Sequence, residues 1–317
     1  MKKKRREILQ KEKRFSNRTL ALASAILVVL IVGGILLSRF FWQPLPVEFP
    51  FRAAIVDQLS LEFPNSEYNI SGSVPNMLRD AGFNVSYFGS ENVDVAFYKE
   101  LVRLNYGIII LRTHSAQRET ETLVDLFSSE RFDMGKYDSE FENGLVTVGY
   151  YSWNPSIRYF TIPPKFIESL TDRFLKSIVI AMGCNTLNAT CTEMAEAFIR
   201  KGAIAYVGWT GLVATPHTDA ETIKLLHGFL NESKTLDQAV RATEPDLDYP
   251  NSKMTYYPNV VVNLTLSNLR TEKTASILFQ NLATVSGFSF QVCGACARPT
   301  RSRVIKTELN QAGLLDA

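Results

Sequence analysis

Two residues of this chain have the types and settings for acyl-transfer chemistry, His114 and Cys184. The histidine closes the apolar run YGIIILRTH at residues 106–114, and the cysteine closes SIVIAMGC at residues 177–184. A thiol becomes a competent nucleophile when a neighbouring imidazole favours the thiolate, and the same imidazole can then protonate a leaving amine. Taken alone, each has a plainer reading, since an isolated buried cysteine is usually inert packing and an isolated histidine a hydrogen-bonded scaffold residue. Standing together at two strand ends, they support a dyad. Gly183 would let a substrate backbone approach and let the chain turn sharply after the strand. Backbone N–H groups at Cys184 and at Ser115, just after His114, could face a developing oxyanion.

The elements that must position this pair alternate in type. From residue 51 onward, short β-rich runs and helical patterns follow one another, the signature of a mostly parallel sheet with helices on both faces. Strands are predicted at 52–60, 84–90, 106–114, 177–184 and 203–211, and helices at 73–83, 93–105, 165–175, 191–202, 219–233 and 236–243. The run IIIL is apolar on both faces, as a central strand requires. Residues 117–164 interrupt the rhythm with charges, tyrosines and turn residues and read as an insertion, with one hairpin or edge strand at 144–152. Ligands in open α/β sheets gather at the C-terminal strand ends, so neighbouring strands would bring His114 and Cys184 together.

Composition bounds the rest. The 317 residues are 46% apolar with a formal net charge of +2. Residues 1–18 hold nine Lys/Arg against two Glu, which leaves the remainder at −5 and argues against a nucleic-acid-binding domain. Residues 19–38 carry no charge, and about twenty apolar residues suffice for a helix to cross a bilayer. The basic flank precedes this segment, so the N-terminus is the cytoplasmic side. The resulting organisation is a basic cytoplasmic tail (1–18), a transmembrane signal anchor (19–41), a spacer (42–50), an extracytoplasmic α/β domain (51–270) and an unassigned tail (271–317). A cleaved signal peptide is the alternative, but the apolar stretch exceeds the usual core of about 7–15 residues. Sequons at Asn69, Asn84, Asn188, Asn231 and Asn263 fall in the exported part.

In its strand–His, strand–Gly–Cys, helix, strand order, on the segments IIILRTH, IVIAMGC and AIAYVGWTG, the chain resembles the caspase-like cysteine peptidases, the group that includes gingipains, clostripain, legumain, separase and CHAT domains. The resemblance covers roughly residues 51–243 and implies a three-layer sandwich, with His114 as general acid/base and Cys184 as nucleophile. It departs from the family at Ser115, where members commonly have Gly, and at Met182, where many have an acidic residue or Gln lining the specificity pocket. It also implies a pocket role for Asp57 at the end of the first strand, where a carboxylate would favour Arg or Lys substrates. The equal alternative is a turn-capping Asp. Trp209 would form an aromatic pocket wall or pack in the core.

Other motifs carry less. His217 and Asp219 read as a helix cap with a nearby imidazole. Cys293 and Cys296 form a single CxxC, a poor zinc site without further ligands. With no phosphate loop, HExxH or GxSxG, the sequence implies no cofactor and no metal. The partners implied are a peptide or protein substrate and, through residues 19–41, a lipid bilayer. Nucleic acid is not implied, and the oligomeric state is unknown. The alternatives are an inactive caspase-like binding module, favoured by Ser115 and Met182, and an α/β ligand sensor with residues 133–153 as a lid.

Overall fold

The computed structural model describes residues 22, 24–33, 49–64, 68–118 and 120–270, together with the backbone of Val304–Thr307. The chain divides into two compact units, residues 1–46 and 47–317. In the first, residue 22 and residues 24–33 are helical, and the side chains of Leu22 and residues 26–32 are exposed. Among the described residues no helix is long and apolar enough to cross a membrane. The rest of the expected 19–41 span lies outside them, as do the basic tail, the CxxC and most of the C-terminal tail.

The second unit is built on a six-stranded sheet. β1 (Arg52–Asp57) leads through α1 (Ile70–Asp80) to β2 (Asn84–Gly89), and α2 (Val95–Leu101) then leads to β3 (Ile108–Arg112). After β3 come β4 (Ser115–Gln117), β5 (Val124–Arg131), α3 (Asp138–Glu142), β6 (Thr147–Tyr151) and β7 (Asn154–Ile162). The chain returns through α4 (Pro164–Ser169), β8 (Ile178–Ala181), α5 (Glu193–Arg200), β9 (Ala205–Trp209), α6 (Thr215–Leu230), α7 (Leu236–Arg241), β10 (Met254–Tyr257) and α8 (Leu266–Arg270). The order across the main sheet is β10-β9-β8-β3-β1-β2, parallel except for the antiparallel edge strand β10.

Alternation along the central strands divides the core between the two faces. Ala53, Ile55, Ile108, Ile110, Ile178 and Ile180 pack with apolar residues of α1, α6 and α7. Ala54, Val56, Ile109, Leu111, Val179 and Ala181 turn the other way, toward α2, α4 and α5. Burial on both faces explains why these strands read as unbroken apolar runs.

The segment read as an insertion is a second sheet, in the order β11-β6-β7-β5-β4, where β11 (Val304–Thr307) runs parallel to β6. Its Leu126, Phe160 and Ile162 join the core on the α2/α4/α5 face. Several helix boundaries also differ from expectation: the helix predicted at 219–233 runs Thr215–Leu230, and the one predicted at 93–105 is α-helical at Val95–Leu101. The helix predicted at 73–83 starts at Ile70, because Asn69 takes a left-handed conformation (φ 44°) and Ser73 Oγ donates to the Asn69 carbonyl from inside the first turn. The one predicted at 165–175 leaves helical geometry at Leu170, whose ψ is 137°.

Candidate functional site

β3 and β8 are neighbours, with Leu111 paired to Ala181 as their last registered residues. Three positions beyond that pair stand His114 and Cys184. Ser115 Oγ donates to the Cys184 carbonyl at 2.6 Å and ties the two strand exits together. Gly183 is required by the same approach: a Cβ there would lie 2.3 Å from Ser115 Oγ and 2.6 Å from the Thr113 carbonyl oxygen. Its missing side chain makes room for the neighbouring strand exit.

His114 is held on every side. Its backbone N–H donates to Gln58 Oε1 (3.0 Å), its carbonyl accepts from Phe127 N–H (2.9 Å), and its Nε2 is hydrogen-bonded to Glu62 Oε2 (2.9 Å). The ring lies against Tyr151 (4.6 Å between centroids) and Trp153 (5.6 Å), with Phe127 and Phe63 farther out. Tyr151 and Trp153 stack on one another at 4.8 Å, and Tyr151 OH accepts from Gln58 Nε2.

Cys184 is only 5% exposed. Its Sγ accepts the Val213 N–H at 3.4 Å and faces the Val213 carbonyl at 3.6 Å. Burial pushes the thiol up to about 11, the Val213 backbone opposes that rise and the Asp246 charge adds to it. Among the described residues the imidazole and the thiol share no hydrogen bond; each has a different partner. A thiol of this kind is neutral near pH 7 and a weak nucleophile.

The remaining predicted residues are buried. Asp57 is 2% exposed, with Oδ1 on Arg112 Nη1 (2.7 Å) and Oδ2 accepting from Tyr87 OH (2.7 Å). Both oxygens are therefore occupied within the fold, and in this conformation the carboxylate is a structural anion. Met182 lies in the same core cluster as Cys184. Trp209 is fully buried and donates from Nε1 to Thr218 Oγ1, which makes it a core residue. Asp219 is not a helix cap: it lies inside α6 and grips Arg112 with both oxygens, at 2.8 and 2.9 Å. Burial opposes the Arg112 charge, but Asp219 and Asp57 outweigh it and raise the guanidinium above its ordinary value.

Sequence reasoning missed Glu62, Gln58, Arg112 and Asp246. Arg112 had a signal, because a charge at the end of a strand buried on both faces must find a counter-charge. Glu62 and Asp246 had none, since each reaches the site from a loop.

β1 leads away to β2 on one side while β3 leads to β8 on the other, so the direction of winding reverses between β1 and β3. Such a reversal opens a crevice at the strand ends. Here a cleft is lined by Asp57, Ser60, Phe63, Asn69, Tyr87 and Arg112, among others.

No family model matches the chain, and neither does any curated protein. The solved structure of the Drosophila initiator caspase Dronc is similar to it with a TM-score of 0.34 and 11% identity, covering 70% of this chain and 84% of that chain.

Proposed function

We propose that this chain is a membrane-tethered cysteine endopeptidase of caspase-like architecture, acting on extracytoplasmic peptide or protein and closed in the conformation described. The observation that carries the reading is the pairing of β3 with β8, from whose neighbouring exits His114 and Cys184 emerge tied by the Ser115–Cys184 hydrogen bond. In the reaction the Cys184 sulfur attacks the peptide carbonyl carbon and the proton taken from the thiol passes through His114 to the departing amine. Water then hydrolyses the thioester, releasing the acid and restoring the thiol. Glu62 on Nε2 leaves Nδ1 as the ring nitrogen to meet the thiol. Cys184 must first leave Val213.

Cys184→Ala and His114→Ala test the reading. Each should abolish hydrolysis of a mixed peptide library by the membrane-bound chain while leaving its unfolding transition in place. Equal turnover in wild type and both variants would end the proposal.

A second reading, a non-catalytic binding module, is favoured by the Cys184 thiol itself, which burial holds neutral and the Val213 backbone occupies. It expects no hydrolysis by the wild type under any condition that leaves the chain folded.

A further inference from the structure

The segment 244–253, between α7 and β10, is fastened to residues 210–214 after β9, where the Val213 backbone meets the Cys184 sulfur. Asp246 is its centre, at 1% exposure. Asp246 Oδ2 accepts the Ala214 N–H at 2.9 Å, and Oδ1 accepts the N–H groups of Asp248 (2.8 Å) and Tyr249 (2.9 Å). Ala214 follows Val213, whose backbone engages the Cys184 sulfur from both its N–H and its carbonyl. One carboxylate thus fixes the loop that covers the thiol and folds the segment back on itself.

Independent contacts fasten the far end. Thr210 N–H donates to the Lys253 carbonyl (3.0 Å), Lys253 N–H donates to Thr210 Oγ1 (3.0 Å), and Asp246 N–H donates to the Ser252 carbonyl (3.0 Å). At the near end the Glu244 N–H donates to Glu221 Oε2 (2.8 Å). Tyr249 is half-buried, and burial raises its phenol above the ordinary value, with the Cys184 and Asp246 charges adding to the rise. Leu247, between these anchored positions, is 88% exposed. The segment is therefore pinned at a few polar contacts and carries little apolar burial along its middle, the composition of a part that opens locally without unfolding the core.

We propose that residues 244–253 form an autoinhibitory latch: Asp246 pins Ala214, Ala214 holds Val213 on the Cys184 sulfur, and lifting the segment frees the thiol. The significance of the freed thiol rests on the peptidase reading, but the latch itself does not need catalysis to be measured.

The experiment is the rate of iodoacetamide alkylation at the Cys184 peptide of the full chain in detergent, read by mass spectrometry at pH 8, for wild type, Asp246→Ala and Thr210→Val. Asp246→Ala should be alkylated at least about tenfold faster, in keeping with the loss of a charge-assisted hydrogen bond. Thr210→Val, which loosens only the far end, should give a smaller acceleration in the same direction. Wild-type rates in both variants, with cooperative unfolding retained, would overturn the latch. If Asp246→Ala fails to fold, Thr210→Val decides by the same criterion. Accelerated alkylation without peptide hydrolysis in any of the three proteins would sustain the latch and remove the peptidase, so the two failures are distinguishable.

Discussion

The chemistry of the site turns on the Cys184 sulfur. Burial favours its neutral form, so the folded chain holds the thiol proton more tightly than an unfolded one does, and the thiol is pushed up to about 11. A raised value of this kind contributes stability that is fully present below the unfolded cysteine range and is lost as pH rises through the folded value. The same shift governs reactivity, because only the thiolate attacks. We therefore expect alkylation of Cys184 in the wild-type chain to rise about tenfold per pH unit from pH 7 and to flatten only near 11. A plateau below pH 8 would mean that the thiol is already tuned by a cation such as protonated His114, contrary to the arrangement described. Freed of Val213 and brought to the imidazole, Cys184 should plateau at lower pH, which gives the open and closed states different profiles.

At the scale of elements, three segments are riveted together by one buried charge group. Arg112 at the end of β3 is 1% exposed and is shared between Asp57 of β1 and Asp219 of α6, themselves almost fully buried. Removing one partner from a buried ion pair strands the other charge, which costs about 3–5 kcal/mol. Asp219→Asn should lower the urea-derived stability by an amount in that range, while a loss under about 1 kcal/mol would mean that the guanidinium finds solvent or another anion. This group also marks the limit of what the sequence tells. Apolar runs such as IIIL and IVIA must be strands buried on both faces, and the positions of His114 and Cys184 at their exits are legible from the sequence. Which strand lies beside which is set by packing of helices on the two faces, and no local spacing records it. Residues 117–164 conceal a sheet because its strands mix polar residues and tyrosines and bury one face only in part. Asp57 lines the cleft with its oxygens already engaged by Arg112 and Tyr87, while Met182 and Trp209, the latter read equally as a pocket wall or a core residue, pack in the core. Glu62 and Asp246 approach through loops, where contact depends on the folded path of the chain.

For the whole molecule, the proposed anchor has a physical argument independent of catalysis. The helical residues described in the first unit carry Ile26, Leu27, Val28, Val29, Leu30 and Ile31 with more than half of each side chain's surface uncovered. A contiguous exposed apolar stripe of this kind is a liability in water and an asset in lipid. The charge distribution adds direction, with seven net positive charges packed before the apolar segment and an acidic balance after it. Among the described residues, the core of the second unit draws on residues from Phe49 to Leu266. The expected outcome is a division of properties on truncation. The full chain should sediment with membranes and resist extraction by alkaline carbonate. A chain starting at residue 47 should remain in the supernatant with the same melting temperature and, at fixed pH, the same alkylation rate at Cys184. In sealed inside-out vesicles, added trypsin should clip only the basic tail and leave the second unit intact. Carbonate extraction of the full chain, or digestion of that unit in sealed vesicles, would refute the tethered topology while leaving the α/β domain and its latch to be judged on their own measurements.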